Sequence, residues 1–347
     1  MSAPSLFQRV ADALFGSGQP ADSEADRKLI ADTIEVIVDA VEPRVRLHSG
    51  YQGKLEGCVR DTIAHLRAIG RERLDPVLLT RAAWSDDPRV NAFFATADDV
   101  GACLGRSREL RAFFDDPANR DVAEAYALLG MKKDERSVLG MELQGDSVRQ
   151  DVAQTAVNFS DHRIIAPAWT LAAARLEIGR RIIRRLAQDA LSRIIALDMK
   201  ANELQEHKAY LAARLRVLNL ARDGMEGLVR DPATIGEQIK AVELELKQTV
   251  DGYIEAKASL ATLDSYIERI REVFGHPEQH VSLTHTPLRV SRMGIKVEKD
   301  FQGLANDLSL AELAIGPDLH GAIAIVRCPR GELPPKEDLV AKAERYL

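Results

Sequence analysis

Residues 176–218 read LEIGRRIIRRLAQDALSRIIALDMKANELQEHKAYLAARLRVL, and apolar side chains recur along them with a seven-residue period. In heptad notation the d positions are Leu176, Ile183, Ala190, Leu197, Leu204, Leu211 and Leu218, and the a positions are Arg180, Ala187, Ile194, Ala201, Lys208, Leu215 and Arg222. An unbroken heptad pattern of this length predicts a coiled-coil helix. Because arginines occupy its end a positions, we expect tight packing only over 183–218.

A second heptad series predicts the returning arm of a hairpin. Its a positions are Ile239, Leu246, Tyr253, Leu260, Ile267 and Phe274, and its d positions are Ile235, Val242, Thr249, Ala256, Leu263 and Ile270. The break between the arms, residues 223–232, is short, so antiparallel return is the simplest geometry. Residues 175–223 carry eleven basic and six acidic side chains, and residues 232–274 carry five and eight. Opposite charge balance favours pairing of the arms, with Lys208 facing Glu243 or Glu245.

The sequence before this hairpin is mostly helical. Residues 26–132 show helical periodicity and capping signals, which predict a domain of five or six helices. Residues 1–25 predict a short amphipathic helix and a flexible linker, with an apolar stripe of Leu6, Phe7, Val10, Leu14 and Phe15. We expect that stripe to dock on the protein itself or a sister subunit. A partner protein or a membrane surface is the alternative, although Arg9 is the stripe's only basic neighbour.

Strand patterns flank the hairpin on both sides. Residues 133–167 contain β-branched runs that predict a β-hairpin or two short strands. Residues 276–347 predict about four strands and a final short helix, with the apolar run 322–326 as a central strand. The two β segments can join in one sheet. We therefore predict a mainly α (α+β) fold, in which residues 168–275 form an antiparallel coiled-coil hairpin inserted into a small mixed or antiparallel β-domain.

Composition narrows the class of protein. The chain has 347 residues, is 46% hydrophobic and carries a net charge of −6, which argues against a general nucleic-acid binder. Cys58, Cys103 and Cys328 are far apart and odd in number, so neither a zinc ribbon nor a disulfide framework is predicted. No signal-peptide pattern and no span of roughly 20 apolar residues occurs. These features predict a cytoplasmic protein with reduced thiols.

No familiar catalytic motif is present. The chain lacks GxxxxGK[ST], a strand-linked GxGxxG, HExxH, GxSxG and an EF-hand loop. The nearest metal candidates are His276, His280 and His285, but Pro277 prevents the first two from sharing a helical face. Asp161 and His162 could form an acid–base pair, although we favour a helix N-cap at Ser160 or Asp161. No cofactor is predicted, and an enzyme of unfamiliar motif using these groups is the alternative function.

The densest charge cluster is Arg180, Arg181, Arg184 and Arg185. Such guanidinium groups suit a phosphate-rich or anionic ligand, which is a second alternative function. We favour a solvated helix face, with Arg180 and Arg181 directed at Glu268 or Glu272 of the returning arm. The preferred hypothesis is a non-catalytic cytoplasmic scaffold or adaptor that binds a protein partner, or itself, through the hairpin.

Overall fold

A computed structural model describes residues 24–71, 74–144, 147–223, 232–298, 301 and 303–335. The apolar stripe of the N-terminal helix, most of the break between the heptad arms and the predicted final helix lie outside these residues. Within the described part, the first of two compact units contains residues up to Asp32, Ile63–Ile183 and residues from Pro277. The second contains Thr33–Thr62 and Arg184–His276. One boundary between the units falls at residues 183 and 184, inside the first heptad series, so the units do not coincide with the predicted segments.

The fold is α+β, with one six-stranded sheet in the first unit. Its strands are β1 (Val77–Leu78), β2 (Glu124–Gln144), β3 (Ser147–Ala168), β4 (Val281–Ser291), β5 (Ala305–Ile315) and β6 (Leu319–Pro329). The order is β3-β2-β6-β5-β4, all antiparallel, and the short β1 adds to β6 in parallel. Because β2 pairs with β6, the β segments on either side of the long helix join in one sheet, with β6 central, as predicted.

The helices are α1 (Glu24–Val41), α2 (Tyr51–Arg71), α3 (Ala83–Asp86), α4 (Pro88–Phe93), α5 (Ala97–Arg106), α6 (Arg108–Asp115), α7 (Leu171–Asp223), α8 (Pro232–Ala258), α9 (Leu263–Phe274) and α10 (Pro277–His280). Side-chain caps fix the N-terminal ends of several of these helices. The Asp87 carboxylate accepts from the Arg89 N–H ahead of α4, and Thr96 forms a capping box with Asp99 at α5.

The alternation of side chains across the strands gives the sheet two buried faces. On one face, Ala127 and Leu129 of β2 and Val326 of β6 belong to a core shared with Phe94 and Leu110 from the α3–α6 region. Small residues on the strands let the large helical side chains approach. This core is why the α3–α6 region packs as a helical layer on the sheet.

The other face of the sheet holds the next residue along each strand. Leu128, Leu313 and Ile325 line a small apolar cavity together with Leu66 of α2 and Ile182 of α7. The first unit is therefore a sheet between two helical layers, in agreement with its apolar central strand.

The predicted β-hairpin is present, but its strands are long. β2 and β3 pair from Tyr126↔Ala168 to Gln144↔Ser147, with three register shifts. Each shift has a non-glycine residue at positive φ on β3, namely Asp151, Asp161 and Ala166. These are β-bulges, which increase twist and re-aim neighbouring side chains. The N-cap prediction at Ser160 or Asp161 is wrong, because both residues lie in β3.

Two further element predictions need correction. β2 starts at Glu124, inside the segment predicted to be helical, because its residues 124–131 pair with β6. The C-terminal region has three strands among its described residues in place of about four. The patterns on either side of Pro287 belong to one strand, because β4 lies at the sheet edge, where a proline is tolerated.

Candidate functional site

The best candidate for a functional surface lies on α7 and α8 in the second unit. Asp198 of α7 lies 3.4 Å from Lys257 of α8, and His207 lies 3.1 Å from Glu245. The contacting residue of α8 moves from 257 back to 245 as the contacting residue of α7 moves forward from 198 to 207. The two helices therefore run antiparallel along these contacts. Buried heptad positions between them include Ile194, Ala201, Leu211, Ile235, Ile239, Val242, Thr249 and Ala256. The complete coiled-coil hairpin stays a prediction, because residues 224–231 lie outside the described part.

The polar groups of this seam differ from the prediction. Lys208 lies over the Tyr253 ring, with its Nζ 4.8 Å from the ring centroid, and Glu245 contacts His207 instead. A cation over an aromatic face keeps its charge near solvent while the stem covers apolar surface. The Tyr253 ring, at an a position of the second arm, thus stabilises Lys208 at an a position of the first.

The second arm is interrupted. α8 ends at Ala258 and α9 begins at Leu263, where the Thr262 hydroxyl accepts from the Ser265 N–H. Ser259 donates its hydroxyl to the Glu255 carbonyl, which competes with continued helix. The uninterrupted heptad series predicted through residues 258–263 is therefore wrong at this point. The Ser259 and Thr262 side chains are the sequence signals that could have revealed the break.

A second apolar stripe runs along the exposed side of α7. Ile195, Met199, Tyr210, Val217 and Leu220 are between 49% and 74% exposed. At about 100° per residue they fall within an arc of roughly 80°, on the side of α7 opposite its heptad seam. Exposed large apolar side chains that share one side of a helix, rather than being scattered over the surface, are typical of an interaction surface. Sequence reasoning that followed only the first heptad series overlooked it.

The arginine cluster has acidic partners within the chain. Arg181 donates to both carboxylate oxygens of Glu109, at 2.9 and 2.7 Å, and reaches Glu177 at 3.4 Å. Arg180 contacts Glu177 at 3.1 Å, Arg185 contacts Asp189 at 3.1 Å, and Arg184 is exposed. The expectation that Arg181 faces Glu268 or Glu272 is therefore wrong, because Glu109 on α6 supplies the bidentate acceptor.

Glu109 is held as a carboxylate by this contact. Burial by itself raises its pKa, but the hydrogen bonds from Arg181 and from the Ala166 N–H, at 2.9 Å, outweigh burial and bring the pKa below its ordinary value. The same pairing raises the pKa of Arg181. Arg181 donates two hydrogen bonds to one carboxylate, so an external phosphate could bind this guanidinium only by displacing Glu109.

The candidate catalytic and metal groups are not assembled. His162 is packed on the Phe94 ring, its Nε2 lies 2.7 Å from the Phe93 carbonyl oxygen, and burial lowers its pKa. Among the described residues, no group of three or more His, Cys, Asp or Glu side chains is placed to hold a metal ion. His276, His280 and His285 are thus not brought into such a group. His162 has a packing role beside the helical layer.

The cysteine thiols are shielded from solvent. All three are free and buried. Burial raises the pKa of Cys58 to about 11 and that of Cys103 to about 12, and it also raises the pKa of Cys328. The thiolate is the nucleophilic form, so these groups are chemically quiet near neutral pH.

The apolar cavity lined by Leu66, Leu128 and Ile182 in the first unit is small. It measures about 60 Å³, and Arg175 is its one charged lining residue. That volume holds roughly four to six water molecules at ~10–15 Å³ each.

No described helix is both long enough and apolar enough to cross a membrane. No protein-family model, curated protein or solved structure matches the chain.

Proposed function

We propose that the protein is a non-catalytic cytoplasmic scaffold or adaptor, in which α7 and α8 form a coiled-coil hairpin that binds another protein chain. The supporting observation is the exposed apolar stripe of α7, from Ile195 to Leu220. The seam with α8 occupies the opposite side of the same helix, so the pairing contacts leave the stripe uncovered. A rigid helix that carries such a stripe matches the helix-in-groove and helix-on-helix modes of recognition.

The two alternatives receive less support. A metal-dependent enzyme lacks an assembled ligand group among the described residues. An anionic-ligand site at the arginine cluster would compete with the contacts that Arg180, Arg181 and Arg185 already make within the chain. The hairpin is therefore the preferred binding element.

Affinity purification with mass spectrometry tests this function. The full chain is compared with a version lacking residues 190–260, and circular dichroism checks that the shortened chain remains folded. We expect the shortened chain to lose specific partners or to lose self-association in light scattering. If the shortened chain retains every partner and has the same number of chains per particle as the full chain, the hairpin is not the binding element and the proposal fails.

A further inference from the structure

The exposed stripe of α7 continues through polar and small residues. Its eight positions are Ile195, Met199, Asn202, Glu206, Tyr210, Ala213, Val217 and Leu220, and all are exposed. Successive positions are three or four residues apart, which is the spacing of a coiled-coil seam. α7 therefore carries one seam toward α8 and another toward solvent.

The second seam is symmetric about its middle. The midpoint of Ile195 and Leu220 lies between His207 and Lys208, and the midpoint of Met199 and Val217 lies at Lys208, so both pairs are centred on nearly the same point. If a second copy of α7 ran antiparallel over this point, Ile195 would face Leu220 of that copy, and Met199 would face its Val217. Apolar ends would then meet apolar ends. Self-complementarity of this kind is what a two-fold symmetric interface requires.

The centre of the seam fits the same arrangement. Asn202 and Ala213 are symmetric about the point, which places a polar residue against a small one. Glu206 and Tyr210 are also symmetric, so the phenol of one chain would reach the carboxylate of the other as a hydrogen-bond donor. Polar residues in a seam set register at some cost in stability.

The charges beside the seam favour the antiparallel direction. Asp198 and Arg216 flank one edge, and Glu203 and Arg214 flank the other; all four are exposed. Antiparallel pairing brings Asp198 opposite Arg216, and Glu203 opposite Arg214, twice each by symmetry. Parallel in-register pairing would instead bring the two different edges together, so Asp198 would lie toward Glu203 of the other copy, and Arg216 toward Arg214. Opposed charges select orientation even where each exposed pair adds little affinity.

From these features we infer that the occupant of the second seam is another copy of this chain, with its α7 antiparallel to the first. This inference rests on the proposed function and names its partner. The seam from Ile195 to Leu220 is about 38 Å long and about 10 Å wide. The footprint is roughly 800 Å² over both copies, below the ~1,200 Å² of standard stable interfaces, so the dimer is concentration-dependent.

Disulfide trapping tests the register. The single variants Asn202→Cys and Ala213→Cys are oxidised separately and as an equal mixture. Antiparallel pairing places the two residues opposite each other, within the ~7 Å between Cα atoms that a disulfide tolerates. Each residue lies about 16–17 Å along the axis from its own symmetry mate. The native cysteines are buried and supply a low background.

We expect a cross-linked dimer from the mixture and little from either variant alone. A dimer from Asn202→Cys alone would indicate parallel pairing and overturn the inference. Absence of a dimer in all three samples, across the micromolar range, would overturn it as well.

A second measurement uses matched substitutions. Met199→Glu with Val217→Glu places four carboxylates in the proposed interface, whereas Leu244→Glu with Ile254→Glu changes two α8 residues of similar exposure, 59% and 58%, outside the seam. Light scattering on the full chain should show a doubled mass at high concentration for wild type and the α8 variant, and loss of the dimer for the α7 variant. Equal behaviour of both variants would contradict the assignment.

The two proposals can fail separately. If the chain is monomeric and the mixture does not cross-link, but deletion of residues 190–260 still removes a partner protein, the scaffold function stands and only the self-pairing is wrong. If the deletion also removes nothing, the scaffold function fails with it.

Discussion

The contact between Glu109 and Arg181 gives a quantitative test of what anchors the start of α7. The change is Glu109→Gln, which keeps the side-chain shape and removes the charge. The wild-type carboxylate accepts two hydrogen bonds from Arg181 and one from Ala166, a residue at φ 58° in a β-bulge. The contact therefore links α6, β3 and α7.

The expected loss follows from these contacts. Hydrogen bonds to charged groups contribute roughly 1.5–3 kcal/mol each when well shielded. Here the side chains of Arg181 and Glu109 are 34% and 39% exposed, and glutamine retains one acceptor. After discounting for solvent screening, we expect the free energy of unfolding to fall by about 1–2 kcal/mol. With a urea slope of roughly 1–3 kcal/mol/M, the midpoint should shift by about 0.3–2 M.

Tryptophan fluorescence is the appropriate signal for this measurement. The chain contains two tryptophans, Trp84 and Trp169, and both belong to the unit that contains Glu109. Urea titrations at pH 7 compare wild type, Glu109→Gln and a control, Asp307→Asn. The control breaks an exposed contact with Arg289 at 3.2 Å in the same unit, so it should cost less than about 0.5 kcal/mol.

The pH dependence has a definite sign. The pKa of Glu109 is lower in the folded state than the ordinary value of 4.5. Its contribution to stability is therefore complete above about pH 4.5 and is lost as the pH falls through the folded pKa. The difference between wild type and Glu109→Gln should shrink in acid. Equal midpoints for Glu109→Gln and Asp307→Asn at pH 7, or a difference independent of pH, would refute this account.

Two further outcomes follow from local contacts. Thr262→Ala should lower the stability of the second unit by about 1 kcal/mol, because α9 loses its N-cap, and Thr262→Asp should largely restore it; urea titration followed by circular dichroism measures both. Identical curves for the two variants would contradict the capping role. Because the pKa values of Cys58 and Cys103 are about 11 and 12, a thiol reagent at pH 8 should react with the native protein far more slowly than with the urea-unfolded chain, whereas rapid native reaction would show that the thiols are accessible.

Much of the architecture is predictable because its signals are local in the chain. The heptad period indicates the long helix α7, and the β-branched run before it indicates the β2–β3 hairpin. The apolar run 322–326 indicates the central strand β6. Each of these patterns depends on side-chain spacing within one element, and that spacing is the same whether or not the neighbouring elements are known.

The strands β2 and β4 differ from their predicted bounds for the same physical reason. Pro287 marks a strand end by the usual rules, yet it lies within β4 because that strand is at the sheet edge. The segment from Glu124 lacks a strong strand pattern and becomes strand by pairing with β6. Long-range pairing of this kind overrides local preference, since strand stability comes mainly from packing and cross-strand neighbours.

The candidate surface on α7 was also predictable only in part. The sequence by itself determined that α7 has apolar side chains at coiled-coil spacing, including the symmetric series from Ile195 to Leu220. Only the tertiary structure decided that this second series stays exposed. It also decided that Glu109 is the acceptor for Arg181, 72 residues away. The physical reason is that periodicity is a property of one helix, whereas burial and charge pairing depend on which distant segments the fold brings against it.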